Sequence, residues 1–77
     1  MENIYNFPEG TKIERVEKRN EFFYVITYES NIKVETPFGT VPGKYFSTEN
    51  RLLSDAVATF EGTLEANGFK KINNIWQ

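Results

Sequence analysis

The chain has 77 residues, the length of one small domain with a thin core, and its net charge of −2 indicates neither a strongly basic nucleic-acid binder nor an acidic mimic. Cysteine and histidine are absent, which excludes disulfides and thiolate metal sites and removes the commonest general base. No apolar run approaches the roughly 20 residues that span a bilayer, and residues 1–5 lack the features of a signal peptide. We therefore expect a single domain, residues 1–77, in the cytoplasm.

The chain is predicted to begin with a turn and an edge strand. Phe7-Pro8-Glu9-Gly10 combines a residue that fixes φ with one that accepts positive φ, which is typical of a turn. The apolar residues around its start are expected to pack on the domain, and they are Ile4, Tyr5 and Phe7. Thr11 to Lys18 is predicted as a charged strand at a sheet edge or with a bulge, because Ile13 and Val16 break strict alternation. Arg19-Asn20 then forms a tight turn.

Glu21 to Glu29 is the densest run of aromatic and β-branched residues, and it is predicted to be the central strand. Apolar side chains occur on both of its alternating faces, which is typical of a strand covered on two sides. One face carries Phe22, Tyr24, Ile26 and Tyr28, and the other carries Phe23, Val25 and Thr27. The other elements are expected to be organised around this strand.

A second turn is predicted at Glu29-Ser30-Asn31, and its length decides which residues form the core. A three-residue loop places Val34 opposite Ile26, on the face that the helix covers. That face then comprises Phe22, Tyr24, Ile26, Tyr28, Ile32, Val34 and Phe38, while Lys33 and Glu35 join Phe23 and Val25. A two-residue loop, Ser30-Asn31, shifts the register by one residue. Serine fits poorly in a two-residue hairpin loop, so the three-residue loop is favoured.

The remaining residues predict a loop, one helix and a last short element. Residues 37–46 contain two prolines and two glycines, with Pro42-Gly43 as a turn pair. Ser47 to Asn67 is predicted as a helix that Ser47 or Thr48 caps and that Gly68 ends in a Schellman motif. Its apolar positions are Leu52, Leu53, Ala56, Val57, Phe60 and Leu64. Residues 69–76 are predicted as a fourth strand or an ordered tail.

These elements predict an α+β fold. It consists of a three-stranded antiparallel β-meander with one α-helix packed across one face, and residues 69–76 can add a short C-terminal strand. The helix is expected to contact the sheet through Val57 and Phe60, above Tyr24, Ile26 and Val34.

No arrangement of residues indicates catalysis. The glycine-containing stretch from Gly39 to Lys44 lacks the spacing of a phosphate-binding loop. The closest carboxylate pairs on single elements are Glu14 with Glu17 and Glu61 with Glu65, and no cleft is expected to raise their pKa values. The sequence therefore predicts a non-enzymatic protein with no catalytic, cofactor-binding or metal-binding residues.

Two surfaces are candidate binding sites. The first is the loop at residues 37–46, because binding residues concentrate on loops held by a rigid scaffold. Its candidate residues are Val41, Lys44 and Tyr45, and the alternative is that Tyr45 and Phe46 fold back to fill the end of the core. The second is the sheet face away from the helix, with candidate residues Phe23, Val25 and Lys33. Its apolar strip is expected to meet either the N-terminal segment or another chain.

The favoured function is a protein-binding module, such as an inhibitor, adaptor or accessory protein, that forms a homodimer or a hetero-complex through the face bearing Phe23 and Val25. Plentiful Asn, Lys, Ile and Phe are typical of an AT-rich bacterial or phage genome. One alternative is a nucleic-acid-binding module, although the charge balance is weak for it. In that case Phe23, Tyr24 and Tyr28 would stack on bases, and Lys33 and Arg15 would lie near the nucleic-acid backbone. A small-ligand-binding dimer is the other alternative, and no membrane partner is expected.

Overall fold

The computed structural model describes residues 5–77, in which one α-helix packs on an antiparallel sheet. The elements are β1 (Thr11–Lys18), β2 (Glu21–Glu29), β3 (Lys33–Thr36), β4 (Gly39–Pro42), β5 (Tyr45–Asn50), α1 (Leu53–Ala66), β6 (Lys71–Ile72) and β7 (Ile75–Trp76). The main sheet has the strand order β1-β2-β5, and α1 contacts β2 and β5. The predicted α+β fold is therefore confirmed. No helix in the described residues has the length and apolar character needed to cross a membrane.

The first hairpin matches its prediction. β2 lies at the centre of the sheet, and β1 pairs with it over its whole length as an edge strand. Arg19 and Asn20 have φ values of 52° and 66°, and positive φ at both positions is the geometry of a type I′ turn. Ile13 lies opposite Ile26 and Val16 lies opposite Phe23, so these two residues occupy opposite faces of a regular strand.

The segment Glu29-Ser30-Asn31 is a β-bulge and not the predicted turn. Glu29 pairs with Tyr45 and Lys33 pairs with Pro42, so three residues of one strand lie opposite two of the other. The backbone hydrogen bonds that flank the bulge run from Ser30 N–H to Lys44 O (2.9 Å) and from Gly43 N–H to Ile32 O (2.7 Å). Both loop lengths considered for this turn are therefore wrong.

The true second turn is Pro37-Phe38, between β3 and β4. β2 and β3 together form one bent strand, and β4 and β5 form its partner, so the second hairpin is longer than predicted. The predicted loop at residues 37–46 is wrong, because these residues include β4 and the start of β5. Pro42-Gly43 lies within the paired strands and is not a turn pair.

The prediction that Tyr24, Ile26 and Tyr28 of β2 face the helix is confirmed, but the predicted extension of this core to Phe22 and to residues 32–38 is wrong. Ile26 and Tyr28 are buried, and Tyr24 packs against the same core. The predicted core residues that are exposed are Phe22, Ile32, Val34 and Phe38, at 47%, 70%, 45% and 99%. The observed core consists of Phe7, Ile26, Tyr28, Ala56, Phe60, Leu64 and Trp76. Since the true turn is further along the chain, β3 and β4 extend past the helix and leave their side chains in solvent.

The helix begins later than predicted, because residues 45–50 form β5 and pair with β2. The N-cap is Leu52, which makes no side-chain capping hydrogen bond, so the prediction of Ser47 or Thr48 as the cap is wrong. Asp55 lies in the first turn, at the positive end of the helix dipole, as expected. The buried residues of the helix are Ala56, Phe60 and Leu64, and Leu52 is exposed.

The end of the helix is the predicted Schellman motif. Gly68 has φ +90°, and its N–H donates to Glu65 O at 3.1 Å. The N–H of Phe69 donates to Leu64 O at 3.0 Å, which is the second hydrogen bond of the motif. Phe69 packs against the core that contains Leu64, so the motif also joins the last residues to the domain.

The C-terminal residues form a small hairpin, β6–β7. Asn73 and Asn74, with φ values of 51° and 66°, form its two-residue turn. Trp76 is buried, and its backbone N–H donates to Asn6 O at 3.1 Å. The short C-terminal strand allowed by the sequence is therefore one half of a hairpin that pairs with the N-terminal segment.

The N-terminal segment packs on the domain, as predicted for Tyr5 and Phe7. Phe7 is buried, and its ring lies 4.9 Å from the ring of Phe60 in an edge-to-face arrangement. Tyr5 packs beside Phe7 with the ring centroids 5.4 Å apart. Ile4 lies outside the described residues.

Gly10 provides a stability test of the first turn. It has φ +100°, and a Cβ there would overlap the carbonyl oxygen of Glu29, whose backbone N–H donates to Gly10 O at 3.1 Å. Gly10→Ala is expected to lower the free energy of unfolding by about 1–3 kcal/mol, because of this overlap and the strained φ. Gly62→Ala is the control: it lies in α1 with open space around it and should stabilise by about 0.5–1 kcal/mol. Equal urea midpoints for Gly10→Ala and the unmodified protein would contradict the first expectation.

Candidate binding surface

The second hairpin extends beyond the core as an arm, defined here as residues 32–43. The Cα radius of gyration is 13.6 Å, whereas a compact chain of this length is expected to have about 11.5 Å. The main body is held by α1 on β2 and β5, while β3 and β4 pair only with each other among the described residues. The arm is therefore a two-stranded ribbon that stands out from the packed domain.

The turn at the tip of the arm is held by Thr36. Its Oγ1 donates to Gly39 O at 2.7 Å and accepts from Phe38 N–H at 3.2 Å. Pro37 fixes its own φ, and Gly39 adopts φ +124°. The side chain of Phe38 is 99% exposed. A restrained turn therefore presents an aromatic ring directly to solvent.

One face of the arm carries an apolar row. Val34 pairs directly with Val41, so their side chains are neighbours on the same face. Ile32, two residues before Val34, projects to that side as well. All three are exposed. The opposite face carries Lys33 and Glu35, so the arm is amphipathic.

A cavity of about 330 Å³ lies where the arm meets the body. It is lined by Tyr28, Ser30, Ile32, Gly43, Lys44 and Phe69. A second cavity of about 430 Å³ shares Phe69 and is otherwise lined by Glu65, Gly68, Lys70 and Lys71. Both volumes lie at the lower end of the range for small-molecule pockets. Because Ile32 lines the first cavity, the apolar row of the arm continues into that cavity, beside the end of the helix.

Four of the six predicted binding residues lie on the arm or next to its base. Lys33 and Val41 belong to β3 and β4, and Lys44 and Tyr45 follow the arm. Lys33 Nζ contacts Glu29 Oε1 at 3.2 Å, and both side chains are about half exposed. Lys33 therefore remains accessible on the arm.

Lys44 and Tyr45 have different surroundings. Lys44 Nζ donates to Asn67 O at 2.8 Å, at the negative end of α1, and lies 5.3 Å from the ring centroid of Phe69. Lys44 thus has a structural contact with the helix. Tyr45 is exposed, whereas Phe46 packs in the core with its ring 5.1 Å from that of Tyr28. The alternative in which both aromatics fill the core is correct for Phe46 alone.

Phe23 and Val25, the other two predicted residues, lie on the sheet face away from the helix and are half-buried. Lys18 Nζ contacts Glu49 Oε2 at 2.7 Å, and this ion pair joins the edge strands β1 and β5 across β2. The guanidinium of Arg51 lies 5.8 Å from the ring centroid of Phe23. Long charged side chains therefore shield this strip, which the N-terminal residues Tyr5 and Phe7 do not cover because they pack in the core.

The same face carries a further ion pair at the edge of the sheet. Lys12 Nζ contacts Glu14 Oε1 at 2.6 Å. The hydrogen bond to the Glu14 carboxylate, together with its negative charge, raises the pKa of Lys12 above its ordinary value of 10.5. Lys12 is therefore charged at neutral pH, and this face combines a narrow apolar strip with paired charges.

The residues proposed to stack on bases and contact a nucleic-acid backbone do not come together. Tyr24 and Tyr28 face the helix, and Phe23 is on the opposite side of the sheet. The guanidinium of Arg15 lies 4.0 Å from the centroid of Phe22, and Lys33 is on the arm. No group of carboxylates in residues 5–77 is arranged to hold a metal ion.

Phe38 is the main surface residue that the sequence interpretation missed, because it was assigned to the core. The signal was present in its neighbours: Pro37 and Gly39 flank Phe38, and both residue types favour turns. Comparison of the chain with protein-family models, with curated proteins and with solved structures gave no match.

Proposed function

We propose that this protein is a small, non-enzymatic protein-binding module, an inhibitor, adaptor or accessory protein, whose arm contacts the partner. The observation that carries the proposal is the full exposure of Phe38 on a restrained turn. The cytoplasm is the proposed compartment, and this rests on the cysteine-free composition.

The chemistry of the arm favours a protein partner with an apolar pocket. Aromatic residues are enriched at the centres of protein interfaces, where they fill pockets and exclude water. The turn hydrogen bonds of Thr36 restrict the tip before binding, which lowers the entropy cost of ordering it in a complex. The row of Val34 and Val41 adds a contiguous apolar surface behind the tip.

Affinity capture from the native host, followed by mass spectrometry, tests this proposal. The baits are the unmodified chain, Phe38→Ala and the control Leu52→Ala, which removes another exposed apolar side chain at the far end of β5. We expect Phe38→Ala to lose the captured protein, with an affinity at least about tenfold weaker. Leu52→Ala should capture it as well as the unmodified chain does.

Other outcomes of this experiment would favour binding through the sheet face or binding to nucleic acid. Capture that Phe38→Ala does not change, but that Val25→Glu abolishes, would assign binding to the sheet face and refute a role for the arm. Capture that nuclease treatment removes, and that weakens steeply with salt, would favour the nucleic-acid alternative. Finding no captured protein with any bait would also count against the proposal.

A further inference from the structure

The outer edge of β3 is an unpaired strand edge. β3 pairs with β4 on one side, and no described residue pairs with the other side. Gly43 N–H donates to Ile32 O, so the even-numbered residues of β3 direct their backbone groups toward β4. Lys33 and Glu35 consequently direct their N–H and C=O groups outward. A free edge of this kind can accept another strand.

We infer that a second copy of this chain pairs with this edge, antiparallel and centred on Val34. In that register, Lys33 of each chain lies opposite Glu35 of the other. Both residues have outward backbone groups, so the two pairs can form four backbone hydrogen bonds. The same alignment places Val34 directly opposite Val34 of the second copy. The inference goes beyond the proposed function and does not use Phe38.

In this arrangement the charged side chains of β3 in one copy face side chains of opposite charge in the other copy. Lys33 and Glu35 lie on the same face of the strand, so each lysine comes beside one glutamate of the other copy, and this pair occurs twice in the dimer. Glu35 has no ion pair among the described residues, and the only one of Lys33 there is the exposed contact with Glu29. A two-fold axis repeats every contact, which is the requirement for a closed dimer.

The same pairing also brings the exposed valines of the two arms together. Val41, Val34, and the corresponding two valines of the second copy form one row across four strands. These valines are exposed in the single chain, and cross-strand neighbours of this type stabilise a sheet. The pairing therefore converts two narrow apolar ribbons into one wider sheet face.

The outer edges of β4 and β1 are less suitable for pairing with a second copy. The outer edge of β4 includes Pro42, whose outward side has no N–H to donate. The outer edge of β1 belongs to a strand in which four of the five charged side chains, all except Glu17, have partners among the described residues. Those contacts are Lys12 with Glu14, Lys18 with Glu49, and Arg15 over the ring of Phe22. The β3 edge combines free backbone groups, complementary charges and exposed valines.

Charge exchange tests the register. The contact is small, so self-association is expected to be transient, and it is followed by sedimentation velocity up to about 1 mM. Lys33→Glu alone and Glu35→Lys alone each place like charges opposite each other twice, and each should weaken self-association at least about tenfold. Mixing these two variants should give a heterodimer, and the double variant should recover the dimer. Circular dichroism confirms that each variant is folded.

Amide exchange provides a second measurement. The N–H groups of Lys33 and Glu35 should become protected as concentration rises, whereas that of Val34 should not change, because it already faces β4. A chain that stays monomeric at every concentration would refute the inference but leave the Phe38-dependent capture of another protein untouched. A dimer that both single variants retain would also refute it, and loss of that dimer in Val25→Glu would assign it to the sheet face.

Discussion

Phe60→Ala is expected to lower the free energy of unfolding by about 3–5 kcal/mol. Phe60 is fully buried, and its ring lies 4.9 Å from that of Phe7 and 5.7 Å from that of Phe46. The substitution therefore leaves a cavity that the N-terminal segment, the helix and β5 all border. A domain of this length is expected to have a total stability of about 4–12 kcal/mol, so the loss is at least a quarter of the stability and, at the low end of that range, all of it.

Phe38→Ala is the matched control for this prediction. It removes the same side chain from a position that is 99% exposed, so its free energy of unfolding should change by less than about 0.5 kcal/mol. Urea denaturation followed by circular dichroism measures both variants. Similar losses of stability in the two would mean that the arm packs on the core, contrary to the structure.

The first hairpin and the helix end could be predicted because each has a strong local signal. The run from Glu21 to Glu29 has high β-propensity, and the polar pair Arg19-Asn20 marks the turn before it. Gly68 followed by Phe69 has the composition of a Schellman motif. In each case the nearest residues determine the structure, so a single sequence is enough.

The register of the second hairpin could not be settled in the same way. Ser30-Asn31 and Pro37-Phe38 both sit between β-favouring segments, and both have turn-forming residues. The choice depends on β5, which must pair with β2 to complete the sheet. That pairing is a long-range interaction, and placing a bulge at Asn31 lets the chain continue past the first candidate turn.

The start of the helix was misplaced because Ser47, Thr48 and Glu49 together have the composition of a helix N-terminus. Their alternation also suits a strand: Phe46 and Thr48 lie opposite Tyr28 and Ile26, and Ser47 lies opposite Thr27 on the other face. The Oγ atoms of Thr27 and Ser47 lie 3.1 Å apart. Tertiary pairing therefore overrides the local capping signal.

The candidate site was predicted only in part, for a related reason. Residues 37–46 were identified as a binding region from their prolines and glycines, and Val41 and Tyr45 are exposed. Phe38 was missed because the predicted three-residue loop places it opposite Phe22 on the core face, whereas it is 99% exposed. Whether an aromatic residue is covered depends on the position of the turn relative to the helix, and that position was wrong.

Trp76→Ala is the second substitution for which a large effect is expected, a loss of about 3–5 kcal/mol in the free energy of unfolding. Trp76 is 5% exposed and belongs to the core, and its position in β7 joins the C-terminal hairpin to the N-terminal segment through Asn6. Loss of the side chain should therefore loosen both ends of the chain. Circular dichroism in urea measures the effect, since the variant removes the only tryptophan available as a fluorescent probe.

Trp76→Phe separates the contribution of packing from that of the ring N–H. The Nε1 atom of Trp76 is buried without a hydrogen-bond partner in the described residues, and an unsatisfied buried donor costs about 1–3 kcal/mol. Phenylalanine keeps most of the aromatic volume and removes that donor, so the two changes oppose each other. The expected net loss is below about 1.5 kcal/mol. Equal losses of stability for Trp76→Phe and Trp76→Ala would contradict this expectation, because phenylalanine would then restore none of the stability that the tryptophan side chain provides.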